Sequence, residues 1–169
     1  YYAEYALDIA QWIGRCPVNR KQEKMRGGNK MRFLIVSGGE ATDEFVENVI
    51  KRGGYDVILA ADSGMDFLYR TKILPDIIVG DFDSVDPEVL EFFREHEEID
   101  ICALNPVKDD TDTEFAIRES IRRGATEITI IGGTGTRLDH VLGNISLLGI
   151  ELEEDVRMEL LDANNRIRM

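Results

Sequence analysis

The chain has 169 residues, with 33 acidic and 20 basic side chains and a formal charge of −13. That length suits one α/β domain with a sizeable core, and the acidic balance excludes the basic stripe of a nucleic-acid binder. No apolar run approaches the length of a membrane span, and Cys16 and Cys102, accompanied only by His96 and His140, do not make a structural zinc site.

Residues 1–30 read as an N-terminal extension. Tyr2, Tyr5, Ala6, Ile9, Trp12 and Ile13 recur at helical spacing, which predicts an amphipathic helix up to Gly14. Pro17 breaks it, and residues 19–30 form a polar, basic, Gly-containing linker. The basic-then-apolar order of a signal peptide is missing, and the chain reads as cytoplasmic.

From residue 31 the pattern becomes strand, loop, helix, repeated. Residues 32–37 are an apolar strand, Gly38-Gly39 a turn, and Thr42 or Asp43 the cap of a helix to about Arg52. Residues 56–61 form a second strand ending at Asp62-Ser63-Gly64, and residues 65–72 a short helix. Residues 76–79 form a third strand, followed by Gly80-Asp81-Phe82-Asp83-Ser84. Asp86 caps the next helix, whose first turn holds Pro87 and Glu88. Residues 99–104 are a fourth strand. Thr111 caps a helix over residues 112–123, closed by Gly124. Residues 127–131 are a fifth strand, residues 138–149 a helix, and residues 157–161 a sixth strand. Strands alternating with helices imply a Rossmann-like α/β three-layer sandwich around a mainly parallel sheet of about six strands. Ligands of such sheets bind beyond the carboxyl ends of the strands, and every unusual polar cluster here sits at such an end.

Asp81 and Asp83 stand at alternate positions just past a strand. Two like charges held that close need something positive between them, and Mg²⁺ is commonly held by one or two carboxylates plus substrate phosphates. The plainer alternative is a pair of turn or capping aspartates. Asp62 is an additional candidate carboxylate, or simply a cap. Lys108, Thr111 and Asp112 surround a helix N-terminus, which offers backbone N–H groups to an anion. Lys108 neutralises phosphate charge in this reading and Asp112 completes the metal site, whereas Asp109 and Asp110 also read as first-turn carboxylates favoured by the helix dipole. In residues 132–140, glycines permit close backbone approach, Arg137 suits a phosphate oxygen, and Asp139 suits a polar group or cation. Leu138 breaks a dinucleotide fingerprint at this place, and the chain has no Walker A sequence.

Taken together, Asp62-Ser63-Gly64, Pro75-Asp76 with Gly80 to Ser84, Lys108-Asp109-Asp110-Thr111-Asp112 with Glu114, and Gly132 to His140 with Asn144 resemble the thiamine pyrophosphokinase family in its bacterial form. The resemblance runs over residues 31–169. It implies transfer of pyrophosphate from ATP to thiamine, giving thiamine diphosphate and AMP, in a homodimer with active sites between subunits. It also implies that Asp81, Asp83 and Asp112 bind Mg²⁺ with the triphosphate, with Asp62 near them. Lys108 and Arg137 contact phosphates, Asp139 helps to hold thiamine, and Thr111 and Asn144 belong to the binding site. Either Asp81 or Asp112 takes the hydroxyl proton. Residues 31–162 are then the ATP-binding catalytic domain. Residues 163–169 read as the start of an all-β domain that the family carries next, which makes the chain read as a fragment.

Rival readings follow from the same residues. Asp81-Phe82-Asp83-Ser84-Val85 also fits the nucleophile motif of HAD-type phosphohydrolases, although that motif normally follows a first strand. A nucleotide-sugar transferase would use a DxD pair and a metal. A truncated nucleotide-binding or dimerisation module would bind without turnover.

Overall fold

The computed structural model describes residues 30–83, 85–104, 111–152 and 154–169. The helix and linker expected over residues 1–29 lie outside them. The described strands are β1 (Arg32–Val36), β2 (Val57–Ala61), β3 (Ile77–Gly80), β4 (Asp100–Ala103), β5 (Glu127–Ile131), β6 (Arg157–Leu161) and β7 (Arg166–Ile167). The described helices are α1 (Asp43–Gly53), α2 (Gly64–Thr71), α3 (Pro87–Arg94), α4 (Asp112–Arg122) and α5 (Leu138–Leu147), the last followed by a 3₁₀ turn over Leu148–Leu152.

All the described strands join one sheet in the order β4-β3-β2-β1-β5-β6-β7. Every pairing is parallel except that of β6 with β7. The first four strands step outward in one direction and the chain then returns to pair β5 with the other side of β1. Because βαβ crossovers are right-handed, this reversal moves the helices from one face of the sheet to the other. Strand alternation agrees. Leu34, Val36, Ala60 and Ile78 pack on one face with Met65, Leu68, Leu90 and Phe93 of α2 and α3. Phe33, Ile35, Leu59, Ile77 and Val79 pack on the other with Ala116 and Ile117 of α4 and with Leu148. The strands are buried on both faces, which is why they read as near-continuous apolar runs.

The helix ends are set by local chemistry. Thr42 Oγ1 accepts the Phe45 N–H at 3.2 Å, Asp86 Oδ1 accepts that of Glu88 at 2.9 Å, and Thr111 Oγ1 accepts that of Glu114 at 3.1 Å. Each satisfies a donor that the first helical turn leaves unpaired. The carboxyl end of α4 is anchored by charge. Arg123, 1% exposed, pairs with Asp100 of β4 at 2.5 Å and with Glu119 at 2.6 Å.

The mainly parallel sheet of about six strands is present, with seven described strands: the chain turns back after β6 and β7 pairs antiparallel with it, Leu160 opposite Ile167. Arg166 and Ile167, within the stretch 163–169 that reads as the start of a further domain, pair with the edge strand β6. The last helix stops at Leu147 rather than Gly149, where the fully buried Leu148 begins the tighter turn.

Candidate active site

The order of the sheet reverses at β1, so the helices that follow β1 and β5 lie on opposite faces, and ligands of open α/β sheets bind at such a switch point, beyond the carboxyl ends of the strands. A cavity of about 880 Å³ occupies that place. Its walls come from the carboxyl ends of β1, β2, β3, β4 and β5, from the first turn of α4, and from α5.

The floor consists of two glycine loops held edge to edge. The Gly39 N–H donates to Gly132 O at 2.7 Å and that of Glu40 to Thr134 O at 2.9 Å, which carries the β1–β5 pairing beyond the strands. Gly132 has φ +68°, and a Cβ there would lie 2.1 Å from Ser37 O. A Cβ at Gly39 would lie 2.3 Å from Gly132 O. No side chain fits between these backbones. Asn144 of α5 fixes the second loop by donating from Nδ2 to Gly133 O at 2.7 Å.

Opposite the glycines stand carboxylates. Asp62, Asp81 and Asp112 all line the cavity. Asp62 and Phe82 adopt left-handed backbone, φ +46° and +61°, a conformation that costs a non-glycine residue on the order of 1 kcal/mol and clusters at functional sites. Phe82 is buried in the core, 3% exposed. Asp81 is half-buried at the cavity, whereas Asp83 is exposed and outside the cavity wall. Asp81 Oδ1 accepts the Asp83 N–H at 3.1 Å. Asp112 begins α4, half-buried. Burial pushes its pKa up to about 6, and the charges of Asp62 and Asp81 push in the same direction. Each of the three thus stands where like charge is already concentrated, an arrangement that favours a cation.

At the mouth, Arg137 and Asp139 form a two-point ion pair, 2.6 Å from Nη2 to Oδ2. They are 67% and 64% exposed. The Arg137 guanidinium beside Asp139 holds its carboxyl below the ordinary range.

Of the residues singled out in the sequence, Asp62, Asp81, Thr111, Asp112, Arg137, Asp139 and Asn144 come together on this cavity. Asp83 does not reach its wall. Lys108, Asp109, Asp110 and Ser84 lie outside the described residues. Ser37, Glu40, Thr113 and Phe115 also line the cavity and were missed. The Ser37-Gly38-Gly39 turn after the first strand was the available signal. Among the described residues, no group of three or more His, Cys, Asp or Glu side chains stands ready to hold a metal ion by itself. The carboxylate oxygens of Asp62, Asp81 and Asp112 are donors of the kind that suit a hard cation carrying phosphate oxygens of its own, as Mg²⁺ does.

Residues 52–160 match the family model described as thiamin pyrophosphokinase, catalytic domain. A Bacillus subtilis thiamine pyrophosphokinase is 34% identical over 114 residues, covering 66% of this chain and 51% of its own. The crystal structure of a thiamine pyrophosphokinase from Bacillus subtilis superimposes with a TM-score of 0.66 at 26% identity, over 78% of this chain and 61% of that one. The thiamin pyrophosphokinase family protein from Enterococcus faecalis gives 0.65 at 34% identity, over 81% of this chain and 64% of that one. The chain spans about half the length of the curated Bacillus subtilis relative that it matches.

Proposed function

The chain belongs to the thiamin pyrophosphokinase catalytic-domain family, and from that premise we propose that it transfers the terminal pyrophosphate of ATP to the hydroxyethyl group of thiamine. The products are thiamine diphosphate and AMP. The observation that carries this reading is one cavity at the switch point with glycine loops on one side and Asp62, Asp81 and Asp112 on the other. Displacement at a phosphorus atom needs positioning and charge neutralisation more than covalent help.

The parts divide between those needs. The glycine loops let the triphosphate approach backbone closely. Asp81 and Asp112 would hold Mg²⁺, with Asp62 beside them, and bound Mg²⁺ supplies positive charge to the phosphate oxygens. Asp83, read with Asp81 as a Mg²⁺ ligand from its place just past β3, is exposed and does not line the cavity. Arg137 contacts phosphate once it leaves Asp139, and a bidentate guanidinium suits that role. Asp139 is then exposed to the thiamine. Lys108, outside the described residues, joins the phosphate contacts by the resemblance. Thr111 contributes at the α4 N-terminus, and Asn144 serves by holding Gly133. A carboxylate of the acidic group accepts the hydroxyl proton. A homodimer with sites between subunits belongs to the same proposal, as does a cytoplasmic location. No described helix is long and apolar enough to cross a membrane. The phosphohydrolase alternative gains nothing from the fold, since Asp81 follows a strand two places from β1.

The test is AMP and thiamine diphosphate formation from ATP, Mg²⁺ and thiamine, with Asp81→Asn as control. Thiamine-dependent AMP release, lost in the variant, supports the reading. Mg²⁺-dependent ATP binding without any product would make this chain a nucleotide-binding portion of the enzyme rather than a sufficient catalyst.

A further inference from the structure

A pair of buried hydroxyls joins the two halves of the cavity. Ser37 Oγ lies 2.7 Å from Thr113 Oγ1, and the two residues are 5% and 7% exposed. Ser37 immediately follows β1. Its N–H donates to Ile131 O at 2.8 Å, so its position is set by the β1–β5 pairing, and it opens the loop whose Gly39 and Glu40 bond to the loop after β5. Thr113 is the residue after Asp112 in the first turn of α4. Capping does not require its hydroxyl, because Thr111 Oγ1 already accepts the Glu114 N–H.

An alanine and a valine would replace the two hydroxyl-bearing side chains with apolar groups of similar shape. Replacing both partners of a buried hydrogen bond by apolar groups of similar shape is nearly neutral for stability. The hydroxyls are therefore better explained by direction than by strength. They fix how far the first turn of α4, with Asp112, stands from the glycine loops. We propose that Ser37 and Thr113 are positioning residues that set the spacing between the carboxylate side and the phosphate-facing side of the cavity. They thereby make nucleotide affinity depend on the divalent ion. The inference rests on the reading that this cavity holds ATP with Mg²⁺. Neither residue is assigned contact with the reacting atoms.

The experiment measures ATP binding to the full chain by isothermal titration calorimetry, with Mg²⁺ and with EDTA, alongside thermal denaturation. The variants are Ser37→Ala, the double Ser37→Ala/Thr113→Val, and Thr113→Ser. The double variant should melt close to the wild type and yet bind Mg²⁺-ATP about tenfold more weakly, with binding in EDTA unchanged. Thr113→Ser keeps the hydroxyl and should keep the affinity. Ser37→Ala leaves the Thr113 hydroxyl without its partner and should lose both affinity and melting temperature. A double variant that binds Mg²⁺-ATP within twofold of the wild type overturns the inference, as does one that loses affinity equally in EDTA. A wild type that binds ATP no better with Mg²⁺ than with EDTA overturns the functional reading, and the inference with it.

Discussion

Replacing Asp112 by asparagine should stabilise the ligand-free protein at neutral and alkaline pH. The substitution keeps the side chain's shape and removes its charge. In the folded chain burial, then Asp62 and Asp81, raise Asp112 from 3.8 to about 6. The folded state thus holds this proton more tightly than the unfolded state does. Its contribution to stability is fully present below the unfolded value near pH 4 and is lost as pH rises through about 6. Above that range the ionised carboxylate opposes folding. At 1.36 kcal/mol per pH unit the separation corresponds to about 3 kcal/mol. Asp112 is only half-buried, so solvent screening reduces this to about 1 kcal/mol. The assay is urea denaturation of wild type and Asp112→Asn at pH 4, 6 and 8 in EDTA. The variant should gain about 1 kcal/mol at pH 8 and nothing at pH 4. A variant less stable than wild type at pH 8, or a difference that does not change with pH, would refute the picture of carboxylates pressed together around an ion's place.

Gly132→Ala places a Cβ 2.1 Å from Ser37 O in a left-handed backbone; denaturant titration should show a loss of about 1–3 kcal/mol, and ATP binding should fall with it. Arg123→Ala takes the shared cation from buried Asp100 and Glu119, the latter still paired with Arg122; unfolding in urea should show a loss of about 3 kcal/mol. Arg137→Ala should leave the melting temperature unchanged, because its pair with Asp139 is exposed. It should weaken ATP binding and flatten the dependence of that binding on salt concentration, measured by calorimetry across a salt series.

The elements were legible where one residue decides a local event. Thr42, Asp86 and Thr111 each cap the helix expected of them, and Gly124, at φ +95°, follows the end of α4. Strand identity was legible because parallel strands buried on both faces are unbroken apolar runs. Strand order was not, since nothing local in residues 127–131 says that they pair with β1 rather than β4. That one pairing creates the switch point and brings Ser37 and Gly39 to the glycines after β5. Asp62, Asp81 and Asp112, picked out by residue type and by their places near strand ends, line the cavity together. The alternation of Asp81 and Asp83 suggested that both face one cation. Phe82 between them has a positive φ, which departs from strand geometry, and Asp83 does not line the cavity. The short β7 was missed because Arg166-Ile167 is too brief to show a pattern.

The most direct test of the central claim follows the label from ATP carrying ³²P at the γ-phosphate, incubated with the chain, Mg²⁺ and thiamine. Pyrophosphoryl transfer predicts label in thiamine diphosphate and an equal amount of AMP, both abolished by Asp81→Asn. Label released as inorganic phosphate with ADP, independent of thiamine, would contradict it.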